Sequence, residues 1–222
     1  MHAIVEVGDS HPMGSGVRAD GANPKLLPRD LAVPVLTAAI ASYGTARELA
    51  MLERLGIGDF KALVIQYCAN DLEENQYLAA RGRLDILSPE RYQALVAEHA
   101  RDTRYYPFKY FRNLMSIARF AMPWRKPPPV PPDTSTVEAR AFLEVLLRHE
   151  RLLAGKTVLV LELNEHNRND DRFLQAVDLL VNEPRFAALK PLVARLDVSP
   201  LLTDADYYLL DDHMRPSGHA RV

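Results

Sequence analysis

The chain has 222 residues, enough for one large or two small domains, since domains usually run to about 100–200 residues. Hydrophobic residues at 48% and charged residues at 25% are spread through the sequence, which excludes a disordered chain and a membrane-embedded fold. The 27 Lys and Arg nearly balance 29 Asp and Glu, so nothing draws the whole molecule to nucleic acid or to anionic lipid.

The first apolar run, residues 3–7, reads as a core strand and leaves no room for the basic and apolar regions of a signal peptide. A cytoplasmic location is expected on that ground, unless the chain is the core of a longer exported or anchored protein. Further β-branched runs at 32–40, 62–67, 157–163 and 192–198 complete five buried strands. Amphipathic segments alternate with them, as in a parallel sheet covered on both faces by helices. Thr45 and Glu48 stand at capping-box spacing before Leu49, Leu52 and Leu55, with Gly56 placed to end that helix. A second helix is predicted from Ser88-Pro89 to about Ala100. A third begins at Ser135, with Glu138 at capping-box spacing and a stripe of Phe142, Leu143, Leu146 and Leu147. A fourth follows Asp170 with Phe173, Leu174, Val177, Leu180 and Val181.

Roughly eighty residues separate the third strand from the fourth, far more than one crossover helix needs, so a mainly helical insertion is expected at about 76–154. Residues 104–126 of it interleave seven aromatics with Arg and Lys and contain no acid. Such a segment lies in a membrane interface, lines an acyl or sugar groove, or packs on its own domain, and packing is the plainest of these expectations. The proline tract 126–132 is an extended spacer.

Ser10 follows the first strand in Val7-Gly8-Asp9-Ser10-His11, at the sheet edge where α/β proteins place their ligands. Asn70, just past the third strand, can present an amide N–H to an oxyanion there, or it and Asp71 can simply cap the next helix. In the extended stretch Asp211-Asp212-His213, residues two apart face the same way, so Asp211 can orient His213 as a base for Ser10. Asp212 is the competing orienter if the turn is tighter. Gly218 permits close backbone approach as a helix begins. The single cysteine, Cys68, allows no internal disulfide and no cysteine-based zinc site. No His-Glu-x-x-His spacing and no glycine-rich phosphate loop appears, so neither a metal nor a cofactor is expected. The lipase elbow is absent too, because Pro12 stands where its last glycine would be.

Together these blocks resemble the SGNH, or GDSL, hydrolase superfamily. Gly8-Asp9-Ser10 is similar to its first block, Ala41 to Leu49 to its second, Cys68-Ala69-Asn70-Asp71 to its third, and Asp211 to His219 to its fifth. The resemblance implies a flavodoxin-like three-layer α/β/α sandwich with a five-stranded parallel sheet in a single domain. It implies a serine esterase acting on a small-molecule, glycan or lipid ester. Ser10 is then the nucleophile, His213 the base and Asp211 its partner, with Ser10 N–H, Ser42 N–H and Asn70 as the oxyanion hole. Gly44, His11 and His166 are candidate substrate contacts, Gly44 also being the alternative oxyanion donor. Three positions depart from the pattern. Ser42 and Cys68 stand where glycines are usual, and Leu210 stands where the acid is often found. The alternatives are an O-acyltransferase acting on a glycan, and a binding domain using residues 104–126 against a membrane or glycan. The oligomeric state is not written in the sequence.

Overall fold

The computed structural model describes residues 4–18, 20–22, 25–26, 33–84, 88–111, 114–115, 118, 132–164, 170–208 and 211–222. Five strands, β1 Ile4–Gly8, β2 Val35–Ala39, β3 Ala62–Tyr67, β4 Thr157–Glu162 and β5 Val193–Arg195, form one sheet in the order β2-β1-β3-β4-β5. All four pairings are parallel. This is the flavodoxin-like order of a doubly wound sheet.

The helices are α1 Ser10–Met13, α2 Thr45–Arg54, α3 Asp71–Arg81, α4 Pro89–Thr103, α5 Ser135–Arg148, α6 Glu150–Leu153, α7 Arg172–Leu180 and α8 Pro216–Arg221. Residues two apart on a strand share a face, so Val5 and Val7, with Leu63, Ile65 and Tyr67, join one core with α2, α3, α5 and α7. Tyr67 stacks on Phe173 with ring centroids 3.8 Å apart, and Phe142 meets both rings edge-on. On the opposite face Val64, Leu161 and Leu163 pack with Val198, Leu202, Tyr207 and Met214. That face carries an antiparallel pair, β6 Tyr207–Tyr208 and β7 Asp211–Met214, which the apolar patterning does not announce.

Several boundaries differ from expectation for identifiable reasons. β5 ends at Arg195 because Asp197 accepts from the backbone and hydroxyl of Ser199 and turns the chain, although Leu196 N–H still donates to Val160. Leu55 is not part of the buried stripe; it caps α2 and is exposed. The N-cap of α5 lies one residue before Ser135. Thr134, the N-cap of α5, donates its hydroxyl to Glu138, whose other oxygen accepts from Tyr67 in the core.

The chain groups into two compact units, Met1–Leu84 with Thr134–Val222, and Asp85–Asp133. The expected insertion at 76–154 is therefore wider than the second unit, since α3 and α5 belong to the sheet unit. In the second unit α4 starts as predicted at Pro89, with Ser88 Oγ accepting from Arg91 N at 3.2 Å. Tyr105, Tyr106, Phe108, Tyr110 and Phe111, all in this second unit, are exposed. Among the described residues no helix is long and apolar enough to cross a membrane.

Candidate active site

From β1 the chain passes to β2 on one side, and β3 then lies on the other side of β1. Helix crossovers diverge at such a reversal and leave a crevice beyond the strand ends, where doubly wound sheets bind ligands. Ser10 follows β1 and Asn70 follows β3, so both border that crevice.

Asp9 builds the turn that carries Ser10. Its buried carboxylate accepts from His11 N at 3.2 Å and caps α1, and Gly14, at φ 80°, closes the helix after one turn. Ser15 N–H donates to Ser10 O at 2.9 Å, and Ser10 itself is half-buried. The bend needs Gly8, because a Cβ there would lie 2.6 Å from Pro12 Cγ and 2.9 Å from Gln66 Cβ.

The second oxygen of Asp9 accepts from Asn70 Nδ2 at 3.3 Å, joining the ends of β1 and β3. An amide nitrogen carries two protons, so this bond orients Asn70 and leaves one proton for an oxyanion. Asn70 occupies the N-cap position of α3 but makes no side-chain capping bond. Its loop is held from the other side by Asn164, just beyond β4, whose Oδ1 accepts from Ala69 N at 2.8 Å and whose amide donates to Glu162. Asn164 was legible only as a polar residue at the active edge of the sheet.

Past β2, Tyr43 N–H donates to Ile40 O at 3.0 Å across a four-residue turn with Ser42 in third place at φ 63°. A positive φ at that place favours glycine, which accounts for the glycine usual at this block. Ser42 keeps its N–H and is exposed. The left-handed conformation costs a residue with a Cβ about 1–2 kcal/mol, and the extra freedom of an unfolded glycine offsets about 0.5–1 kcal/mol of that. Ser42→Gly is accordingly expected to stabilise the fold by about 0.5–1 kcal/mol, read as a higher urea midpoint at unchanged slope. Gly44 is buried instead, and a Cβ on it would sit 3.3 Å from Asp71 Cα and Glu74 Cβ. It serves the packing of α2 on α3.

The start of α2 is capped from α3, not by its own sequence. Asp71 Oδ2 accepts from Thr45 N at 3.2 Å and Thr45 Oγ1 at 2.8 Å, Asn75 Oδ1 from Ala46 N at 3.0 Å, and Glu74 Oε1 from Arg47 N at 3.0 Å. Three successive orphan N–H groups are thus satisfied, and the capping box expected at Thr45 and Glu48 is not formed. The readable signal was Asp71, Glu74 and Asn75 at i, i+3 and i+4, one face of a helix. Glu48 is fully buried instead, and neither of its carboxyl oxygens has a hydrogen-bond partner among the described residues. Burial first, then the carboxylates of Asp71, Asp9 and Glu74, push its pKa well above the ordinary range.

His213 arrives on β7, and β7 packs against α1. Its ring centroid lies 5.5 Å from that of His11, which is buried and so not a solvent-facing neighbour of the nucleophile. Tyr208 OH donates to Gly16 O at 2.8 Å and ties the loop after α1 to the hairpin. A Cβ at Gly16 would come within 3.1 Å of the Tyr208 ring and 3.8 Å of His213 Cβ. Gly218 does allow a close approach, because a Cβ there would lie 2.9 Å from Asp206 O, which accepts from Arg215 N. Burial, and then the neighbouring His213, hold the pKa of His219 down and favour its neutral form. Burial, and then the Asp9 carboxylate, push the Cys68 thiol up, which keeps it protonated.

Ser10 at the start of α1, Ser42 and Asn70 in the turns after β2 and β3, and His213 on β7 therefore lie on elements tied together at one end of the sheet. The backbone of Asp211 and Asp212 is extended in β7, as expected. Their side chains, and all of His166, lie outside the described residues. Among the described residues no group of three His, Cys, Asp or Glu side chains is arranged to hold a metal ion.

No family model matches the chain, and no curated protein does. Solved structures do. One described as TesA superposes with a TM-score of 0.53 at 15% identity, over 99% of this chain and 93% of that one. A member of the lipolytic G-D-S-L family from Veillonella parvula gives 0.53 at 10% identity, over 100% and 93%. An acetyl xylan esterase, Est2A, from the rumen bacterium Butyrivibrio proteoclasticus gives 0.55 at 11% identity, over 99% of this chain and 61% of that one. The chain has the fold of these three structures, one of them described as a G-D-S-L family member, as the motif resemblance implied.

Proposed function

We propose that this chain, built on the SGNH fold, is a serine hydrolase that cleaves a carboxylic ester through an acyl-serine intermediate. The observation that carries the proposal is the junction of α1 with β7, which brings the helix of Ser10 to the strand of His213 beside the tethered Asn70. Ser10 Oγ attacks the ester carbonyl as His213 takes its proton. The bond to the alcohol oxygen then breaks, and His213 returns the proton to that oxygen. Water, activated by the same imidazole, releases the acid and restores Ser10. Ser10 N–H, Ser42 N–H and the Asn70 amide hold the negative oxygen of both tetrahedral intermediates, each donor contributing about 2.7–4 kcal/mol in such sites. Asp211 orients His213 through Nδ1, with Asp212 as the alternative acid. A short acyl group on a carbohydrate or lipid is the substrate class, in keeping with the esterase and lipolytic descriptions of the structural neighbours.

A fluorophosphonate probe is expected to label the protein covalently at Ser10, with hydrolysis of p-nitrophenyl acetate lost in step with labelling. Labelling that persists in Ser10→Ala, or a labelled peptide that does not contain Ser10, would overturn the assignment.

A further inference from the structure

Residues 104–132 hold six Lys or Arg and no Asp or Glu, in a chain whose overall charge is −2. Within this stretch Tyr106 O accepts from Lys109 N at 3.1 Å, closing a turn with Pro107 second and Phe108 third. Phe108 adopts φ 65°. A turn with proline second and a positive φ third normally takes glycine in third place, because a bulky side chain is strained there. The ring gains nothing from its own fold in return, being 85% exposed. Tyr105, Tyr106, Tyr110, Phe111 and Leu114 around it are also more than half exposed. Large apolar side chains left in water and gathered on one short segment mark a surface that meets a partner.

We infer that this segment docks on the surface of an anionic lipid bilayer, with Phe108 at its tip. Charge complementarity selects this occupant. Aromatic rings settle at the boundary between headgroups and acyl chains, while Arg104 and Lys109 meet lipid phosphates, and the sequence that follows adds four more cations. A second copy of the chain would bring the same acid-free stretch of six cations across a two-fold interface and be repelled. The inference is independent of the ester chemistry, since it uses none of the residues assigned to that site.

The test is co-sedimentation of the 222-residue chain with vesicles of phosphatidylcholine alone and of phosphatidylcholine mixed with phosphatidylglycerol. Binding is expected to the mixed vesicles and to weaken with salt. Each basic residue near an anionic surface contributes about fivefold in partition, so Lys109→Gln with Arg112→Gln is expected to lower binding about 25-fold. Phe108→Ser with Phe111→Ser is expected to lower it about tenfold or more, with an unchanged circular dichroism spectrum because both rings are exposed. Equal binding to both vesicle types, binding to neither, or undiminished binding by the Phe108/Phe111 variant would overturn the inference. So would a dimeric mass that reverts to monomer in that variant, which would make the partner a second copy. Aromatic-dependent binding to a single-stranded oligonucleotide in place of vesicles would reassign the surface to nucleic acid.

Discussion

His213→Ala is expected to lower kcat for a p-nitrophenyl ester at least about 10⁴-fold, some 5.5 kcal/mol of activation free energy, with little change in KM. The size follows from what the imidazole does in the proposed mechanism. A serine hydroxyl is almost wholly protonated at neutral pH, and the acyl-enzyme needs the same base to activate water, so both halves of the cycle lose their proton acceptor. Unchanged KM is expected because the proposed site holds the ester at the loops that follow β1 and β3, and the variant removes none of these. The paired variants Asp211→Asn and Asp212→Asn divide the remaining question. The one that orients His213 is expected to lose about 10⁴-fold in kcat and the other to stay near wild type, because an amide at the orienting position favours the wrong imidazole tautomer. Comparable turnover by His213→Ala and wild type would remove His213 from the mechanism.

Glu6→Gln is expected to flatten the pH dependence of folding stability. Glu6 lies in the middle of β1, buried on both flanks of the sheet, and its Oε2 has no hydrogen-bond partner among the described residues. Burial pushes its pKa from 4.5 up to about 7. The folded chain therefore holds this proton more tightly than the unfolded chain. The associated stability is fully present below about pH 4.5, declines as pH rises from there to about 7, and is lost above it. At about 1.4 kcal/mol per unit the total is about 3 kcal/mol. Urea unfolding of wild type and Glu6→Gln should agree near pH 4.5 and diverge as pH rises, with the variant about 3 kcal/mol more stable near pH 8. Glu48→Gln should act in the same sense, since burial and neighbouring carboxylates also raise that group. Stability curves that stay parallel from acid to alkaline pH would show Glu6 to be ionised in the fold without cost.

How much of this was readable in the sequence depended on whether a feature is local. The strand at 62–67 was placed residue for residue, because an apolar run interrupted only by Gln66 and bounded by Lys61 and Cys68 needs no tertiary information. The helix at 135–148 was legible in its stripe, yet its cap moved by one residue, since whether Glu138 turns back or inward depends on Tyr67 from a distant strand. The trans-capping of α2 by Asp71, Glu74 and Asn75 is likewise a contact between elements, and no window along the chain contains both partners. Ser42 is the instructive case within the site. Its departure from the expected glycine was visible, but only the backbone shows that the residue keeps the glycine conformation and so its N–H. Glu6 was passed over, because an acid inside an apolar run looks like an exposed position until its depth is known, and Glu48 was read as a helix cap although it is fully buried.

The bond from Tyr208 to Gly16 spans 192 residues of sequence, and it has a meaning for the order in which the protein becomes active. During synthesis Ser10 leaves the ribosome early and can settle against β1 and its neighbours while most of the chain is still unmade. The hairpin carrying His213 must wait, and closing so long a loop is among the slower and entropically costlier steps of folding. If Ser10 and His213 act as proposed, a nascent chain that has folded β1 and β3 but not the hairpin lacks its base and would leave esters untouched. On the proposed mechanism hydrolysis would begin only once β7 has folded back on α1, so activity would report the meeting of two segments far apart in sequence.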